Sequence, residues 1–237
     1  MTDPRDLTER VERKAMRAVY MARRVRFIAR LRALALWKGT DLQLAIAPSV
    51  RFGKNIQVRL APRSKVEVTI GKGSQIFDGV SLNLFSGSLR FGADVQLRPG
   101  VVVMLSGDLD LEGANIFSWG CLLHCGERIT IGWAAGAAEY ASVVDSGHFY
   151  TRPDVVVSQN TVTAPVTIGR NTFLAPRSTV NRGVTVGDFV VIGPGSVVVK
   201  DVPDGTFVSG VPAKVIGPVN LPWLEEMHSA SAAGGGA

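Results

Sequence analysis

From Ile168 to Val198 an aliphatic residue occupies every sixth position: Ile168, Leu174, Val180, Val186, Ile192 and Val198. A helix repeats every 3.6 residues and an ordinary strand every 2, so a strict period of six fits neither. Six residues do suffice for a short strand and a sharp bend, and three such faces close one turn of a prism. The first residue of each hexad then points to a shared apolar axis. The next residue is mostly small (Gly169, Ala175, Asn181, Gly187, Gly193), which lets the backbone turn. Four places after each inward residue comes Ser, Thr or Val (Thr172, Ser178, Val184, Val190, Ser196, Val202), suited to packing near a corner. The pattern predicts a parallel β-helix.

The same rhythm runs upstream with small slips, through Phe52 and Val58, then Ile70, Ile76 and Leu82, Phe91, Leu97 and Val103, Leu111, Phe117 and Leu123, and Ile131, Ala137 and Val143. Sets of three begin at residues 52, 70, 91, 111, 131, 168 and 186, which gives about seven coils. Parallel strands stack at about 4.8 Å, so the prism is roughly 30 to 35 Å long. The interval from 131 to 168 is twice as long as its neighbours, so a segment of about 149–165 is extruded from one corner. A long loop inside so regular a solenoid is usually functional. The expected organisation is a basic helical segment over 1–40, the β-helix over 41–218, and a short helix with a flexible tail over 219–237.

Charge separates these parts. The chain has a formal net charge of +6, yet residues 1–38 hold 11 Lys/Arg against 4 Asp/Glu and the remainder holds 15 against 16. The N-terminal segment has helical spacing and no Gly or Pro after Pro4 until Gly39. Its cleanest seam is Leu7, Val11, Ala15, Ala18, Ala22, Val25, Ala29, Ala33 and Leu36, in steps of three and four that share one face. A bulkier cluster (Met16, Tyr20, Phe27, Leu34) lies roughly opposite among arginines. The Ala-rich seam suits packing against another helix or the end of the prism; contact of residues 5–38 with a membrane surface is the second reading. The prism has no basic stripe, so nucleic acid is not an expected partner. No signal-peptide or membrane-spanning pattern is present, which makes a cytoplasmic protein the default. Cys121 and Cys125 read as small packing residues rather than a bridge.

Three histidines can be weighed individually. His228 lies beside the tail, and His124 sits one residue past the inward Leu123, at a corner. His148 follows Asp145-Ser146-Gly147 where the repeat breaks into the long segment, and is placed to act on something outside the prism. A metal site of the γ-class carbonic anhydrase kind needs three histidines, two of them closely spaced, and positions 124, 148 and 228 do not supply that pair. No metal is expected.

The stretches Asp145-Ser146-Gly147-His148-Phe149-Tyr150, Pro165-Val166-Thr167-Ile168-Gly169, Gly187-Asp188-Phe189-Val190-Val191-Ile192-Gly193 and Gly210-Val211-Pro212-Ala213-Lys214-Val215-Ile216 follow in order. Together they resemble the hexapeptide-repeat acyltransferases, especially the sugar O-acetyltransferase branch (colanic-acid and maltose acetyltransferase-like). The resemblance covers residues 111–217 well and 50–110 by periodicity. It implies left-handed coiling, against the usual crossover rule, a homotrimer, acetyl-CoA as donor, and a sugar or glycan acceptor bound in a groove between subunits. His148 maps onto the family's general base, with Asp145 either orienting the imidazole or capping the loop turn. The corner Leu174-Ala175-Pro176-Arg177 maps onto the oxyanion site, where Pro176 offers no N–H and Ala175 remains. Lys200 and Lys214 match positions near the CoA phosphates. Trp133-Ala134-Ala135-Gly136 departs from the usual Gly-Asp-Asn corner, and Trp119, Trp133, Phe149 and Tyr150 are candidates for a substrate platform. N-acetylation of an amino sugar and a non-catalytic β-helix scaffold are the alternatives.

Overall fold

The computed structural model describes residues 4–148 and 161–219, with side chains from residue 15 onward. Apart from Val219, the short helix and tail expected over 219–237 lie outside the described residues, as do residues 149–160 of the expected loop. The chain winds as a parallel β-solenoid with three faces. The first is a seven-stranded sheet of β1 (Asp41–Ile46), β4 (Lys65–Ile70), β7 (Gly87–Ala93), β10 (Asp108–Gly113), β13 (Arg128–Ile131), β18 (Val166–Ile168) and β21 (Thr185–Val186). The second runs β2 (Arg51–Phe52), β5 (Gln75–Ile76), β8 (Gln96–Leu97), β11 (Ile116–Phe117), β14 (Gly136–Ala137), β19 (Phe173–Leu174) and β22 (Val191–Ile192). It ends in a hairpin of β24 (Thr206–Gly210) and β25 (Ala213–Pro218). The third comprises β3 (Gln57–Leu60), β6 (Ser81–Leu84), β9 (Val102–Leu105), β12 (Leu122–Cys125), β15 (Ser142–Val144), β20 (Thr179–Val180) and β23 (Val197–Val198).

The inward hexad positions form the core. Every one of them is buried except Val58, half-exposed in the terminal coil. The first coil is complete, because β1 brings Ile46 inward six places before Phe52, a hexad earlier than the start of the sequence pattern at Phe52. Four places on from the inward residues, Thr172, Ser178, Val184, Val190, Ser196 and Val202 are all buried. The hydroxyls find partners there: Ser178 Oγ donates to Ala175 O at 2.7 Å and Thr172 Oγ1 to Gly187 O at 2.8 Å. Cys121 occupies the equivalent corner position, while Cys125 is an inward residue at the next corner; both are fully buried and unbridged.

Why the second hexad residue is small is visible in the stacking. A Cβ at Gly169 would stand 2.5 Å from the Gly187 backbone of the next coil. The turn itself needs a left-handed residue three places after the inward one. Asn55, Gly73, Gly79, Asp94, Gly100, Ala114, Gly120, Ala134, Tyr140, Asn171, Arg177, Gly183, Phe189 and Gly195 all have φ between 52° and 77°. Gly, Asn and Asp adopt this conformation readily; Ala, Tyr, Arg and Phe hold it at a cost of roughly 1–2 kcal/mol each, offset by the ladder on either side.

The N-terminal segment is one helix, α1 (Pro4–Lys38). It ends in a Schellman-type cap: Gly39 has φ 64°, and Thr40 N–H donates to Ala35 O at 2.9 Å. The expectation that the Ala-rich seam packs on the prism is corrected. The opposite, bulkier side does so: Leu31 and Ala35 are buried, Leu34 packs on the core, and the Phe27 ring stacks on Phe52 with centroids 4.2 Å apart. Phe and Leu remove far more apolar area from water than Ala, at about 25 cal/mol per Å², so the end of the solenoid recruits them. The seam residues Ala18, Ala22, Val25, Ala29, Ala33 and Leu36 all face outward and exposed.

Candidate functional site

Between the fifth and sixth coils the chain leaves the prism at the edge joining the third face to the first. It departs at Asp145 and returns at Ala164, whose N–H donates to Asp145 O at 2.9 Å. Beyond that closure a small antiparallel ribbon projects outward, β16 (Ser146–His148) paired with β17 (Thr161–Thr163). His148 is at its outer end opposite Thr161, and is exposed. The sequence placed His148 at the mouth of an extruded segment, and the backbone puts it there.

Asp145 follows Val144 as Cys125 follows His124 one coil above, so it fills an inward corner position held by Leu84, Leu105 and Cys125 in earlier coils. It is fully buried. A carboxylate there is tolerated because both oxygens are occupied: one accepts Gly126 N–H at 2.5 Å, the other accepts Glu127 N–H at 2.9 Å and Arg128 N–H at 2.8 Å. Of the two roles the resemblance allowed, the geometry supplies a cap, and the turn capped is that of the preceding coil. The buried charge also acts on its neighbour. Burial, and next the Asp145 carboxylate, push the Cys125 thiol up to about 12; burial alone is the leading cause that brings Cys121 to about 11.

Two more side chains join this edge. His124, half-buried on β12, turns Nε2 toward Ser146 Oγ at 3.5 Å, a contact at the weak limit of hydrogen bonding. Arg182 was not singled out in the sequence. Its guanidinium lies so close to Gly147 that a Cβ there would stand 2.8 Å from Nη1. The signal was the glycine between Ser146 and His148, but the long interval hides which later residue stacks beneath it.

The other expected site residues lie elsewhere. Ala175 is on the edge between the second and third faces, and its N–H is committed to Ile192 O at 2.9 Å. That is a correction: an amide spent in the ladder has no proton for an oxyanion. Lys200 follows β23 on the same edge as His148, two coils further along, and is exposed. Lys214 is exposed on β25, beyond the cis Val211–Pro212 bond. Trp119 and Trp133 do not share an edge. Trp119 lies with Tyr140 on the second-to-third edge, beneath an Arg98 guanidinium held 5.6 Å from its ring. Trp133 lies on the first-to-second edge, with its N–H donated to Glu112 Oε2 at 3.1 Å. Phe149 and Tyr150 lie outside the described residues. Among the described residues no three His, Cys, Asp or Glu side chains are grouped to hold a metal.

Residues 165–200 match the family model of the bacterial transferase hexapeptide, six repeats. The matched stretch is a run of hexapeptide repeats. No curated protein matches the sequence. Among solved structures, a variant of AntD, an N-acyltransferase from Bacillus cereus, in complex with dTDP and coenzyme A superposes with a TM-score of 0.51. The identity is 16%, over 77% of this chain and 91% of that one. AntD with dTDP and 3-hydroxybutyryl-CoA gives 0.50 at 15% identity, over 82% and 90%. The polySia specific acetyltransferase NeuO gives 0.49 at 18% identity, over 82% and 97%. At these identities the likeness to AntD is one of fold.

Proposed function

We propose that the protein transfers an acyl group, acetyl in the first instance, from acyl-CoA to a hydroxyl of a sugar or glycan, with His148 as general base. The observation that carries this reading is the position of His148, the exposed end of a ribbon extruded from an edge of a hexapeptide prism whose fold is that of CoA-bound AntD. A sugar hydroxyl is too weakly acidic to attack a thioester unaided. Neutral imidazole removes its proton as the oxygen bonds to the carbonyl carbon. Collapse of the tetrahedral adduct breaks the carbon–sulfur bond, and the imidazolium returns the proton to the departing CoA thiolate. No enzyme nucleophile is needed. Lys200 and Lys214 place two ammonium groups toward the C-terminal end of the prism, where they neutralise CoA phosphates.

The edges favour a homotrimer. His148 and Lys200 share one edge, while the exposed rings of Trp119 and Tyr140 share another. One chain cannot close a groove from both edges; neighbouring parallel copies can. The second reading, N-acylation of an amino sugar, is favoured by AntD, whose structures include one with dTDP-4-amino-4,6-dideoxyglucose and coenzyme A. An amine acceptor follows the same proton path.

A CoA-release assay across sugars, amino sugars and nucleotide-linked amino sugars tests the reaction class. His148→Ala is expected to lower kcat by ~10²- to 10⁴-fold with the fold intact, and Lys200→Ala and Lys214→Ala to raise KM for acetyl-CoA more than they lower kcat. Loss of turnover in His124→Ala but not in His148→Ala would overturn the assignment of the base.

A further inference from the structure

The side of α1 turned away from the prism is an apolar strip left exposed among the described residues. It is built from Ala18, Ala22, Val25, Ala29, Ala33 and Leu36. Leu36 is 84% exposed and the adjacent Trp37 76%. A continuous strip of this kind marks an interaction surface. What covers it is decided by charge. From Ala15 to Lys38 there are seven Lys/Arg and no Asp or Glu. A second copy of the helix would set cations against cations, and the rest of the chain, with 19 basic and 20 acidic residues, carries a net charge of only −1.

The arginines are also placed. Arg26 and Arg32, both exposed, border the strip on its two sides, where a long basic side chain lays its stem along apolar surface and keeps its head in water. On one flank Arg23, Arg26 and Arg30 join Lys54 of the first coil in lining a groove of about 500 Å³. Four cations around one groove beside an apolar strip match the headgroup and acyl boundary of an anionic bilayer. Trp37, with Lys38 Nζ 4.6 Å from its ring, ends the strip as an interfacial anchor. Among the described residues no helix is long and apolar enough to cross a membrane, so the contact lies in the plane of the surface.

We propose that α1 docks the protein on an anionic phospholipid surface, with the strip at the acyl boundary and the Arg23, Arg26, Arg30 and Lys54 groove on lipid phosphates. Co-sedimentation of the full chain is expected with phosphatidylcholine vesicles containing phosphatidylglycerol, not with phosphatidylcholine alone, and to fall at high salt. Trp37 emission is expected to shift to the blue on binding, and Trp37→Phe to remove that shift. Each arginine near such a surface is worth about five-fold in partitioning, so Arg23→Gln, Arg26→Gln and Arg30→Gln together are expected to lower it by about 100-fold. These residues lie on the surface, and circular dichroism is expected to be unchanged. Failure to bind phosphatidylglycerol vesicles at low salt, or undiminished binding by the triple variant, overturns the proposal. So does a Val25→Ser, Leu36→Ser variant that dissociates an oligomer yet binds vesicles normally, which would give the strip to a second copy.

Discussion

Replacing Asp145 separates two roles that a carboxylate three residues before the proposed base can have. Its oxygens accept three backbone N–H groups, from Gly126, Glu127 and Arg128, inside a corner with no water access. Hydrogen bonds to a charged group contribute about 1.5–3 kcal/mol each, and burying the carboxylate costs several kcal/mol in return. Asp145→Ala removes the acceptor and leaves three part-buried backbone donors without it, at up to about 1–3 kcal/mol apiece. After relaxation a net loss of about 3–5 kcal/mol is expected, the size seen when one partner of a buried charged network is deleted. For a chain of this length that is a fall in Tm of roughly 6–20 °C. Asp145→Asn keeps one acceptor oxygen but turns an NH2 toward a backbone N–H, so about 2–3 kcal/mol is expected. Urea titration followed by circular dichroism reads the stability, and CoA release from the folded fraction reads activity. A cap loses stability first, with the folded Asn variant within about ten-fold of wild type in kcat. If Asp145→Asn melts with the wild type while kcat collapses, the carboxylate serves the imidazole and the capping argument is wrong.

Three further outcomes follow from the packing. Ser88 Oγ donates to Asp108 Oδ1 at 2.5 Å, and this bond leads the causes, with Arg128 and Arg90 helping, that hold the Asp108 carboxyl below its usual 3.8. A depressed folded pKa contributes stability above the unfolded value that is lost as pH falls through the folded one, so wild type and Ser88→Ala should differ in denaturation midpoint near neutrality and converge as the pH falls below the lowered value of Asp108. With thiols raised to about 11 and about 12, Cys121 and Cys125 should resist iodoacetamide at pH 8 in the native protein; mass spectrometry showing rapid native alkylation would contradict their burial. Gly79→Ala meets no atom within 4 Å at φ 70°, so its thermal destabilisation should be about 1 kcal/mol, the left-handed cost alone.

The solenoid was legible in the sequence because each inward residue answers to one axis, and a six-residue period survives a few extra residues at a corner. The edge that carries His148 was legible for a related reason: an interruption stands out against a regular repeat. What escaped depends on stacking across that interruption. Arg182 comes beneath Gly147 only when β20 is laid on β15, and no local pattern marks the pairing. Ala175 was placed at the correct kind of corner, but whether an amide is free or spent in a ladder is a property of the next coil. For α1 the length was evident from composition, whereas the buried face was not. Helical periodicity favoured the tidy Ala seam, and the deciding factor was the Phe52 ring left open at the end of the prism.

The Asp145–Ala164 closure has a consequence for change over time. Coils five and six pair across it strand for strand, β13 with β18, β14 with β19 and β15 with β20, as if nothing intervened. The projecting ribbon therefore hangs from the prism by a single closed neck. Lengthening what hangs there costs only about 0.6 kcal/mol per doubling. The segment beyond His148 can thus be changed by insertion, deletion or grafting while every coil keeps its register, which makes this edge the natural place for diversification and for engineering.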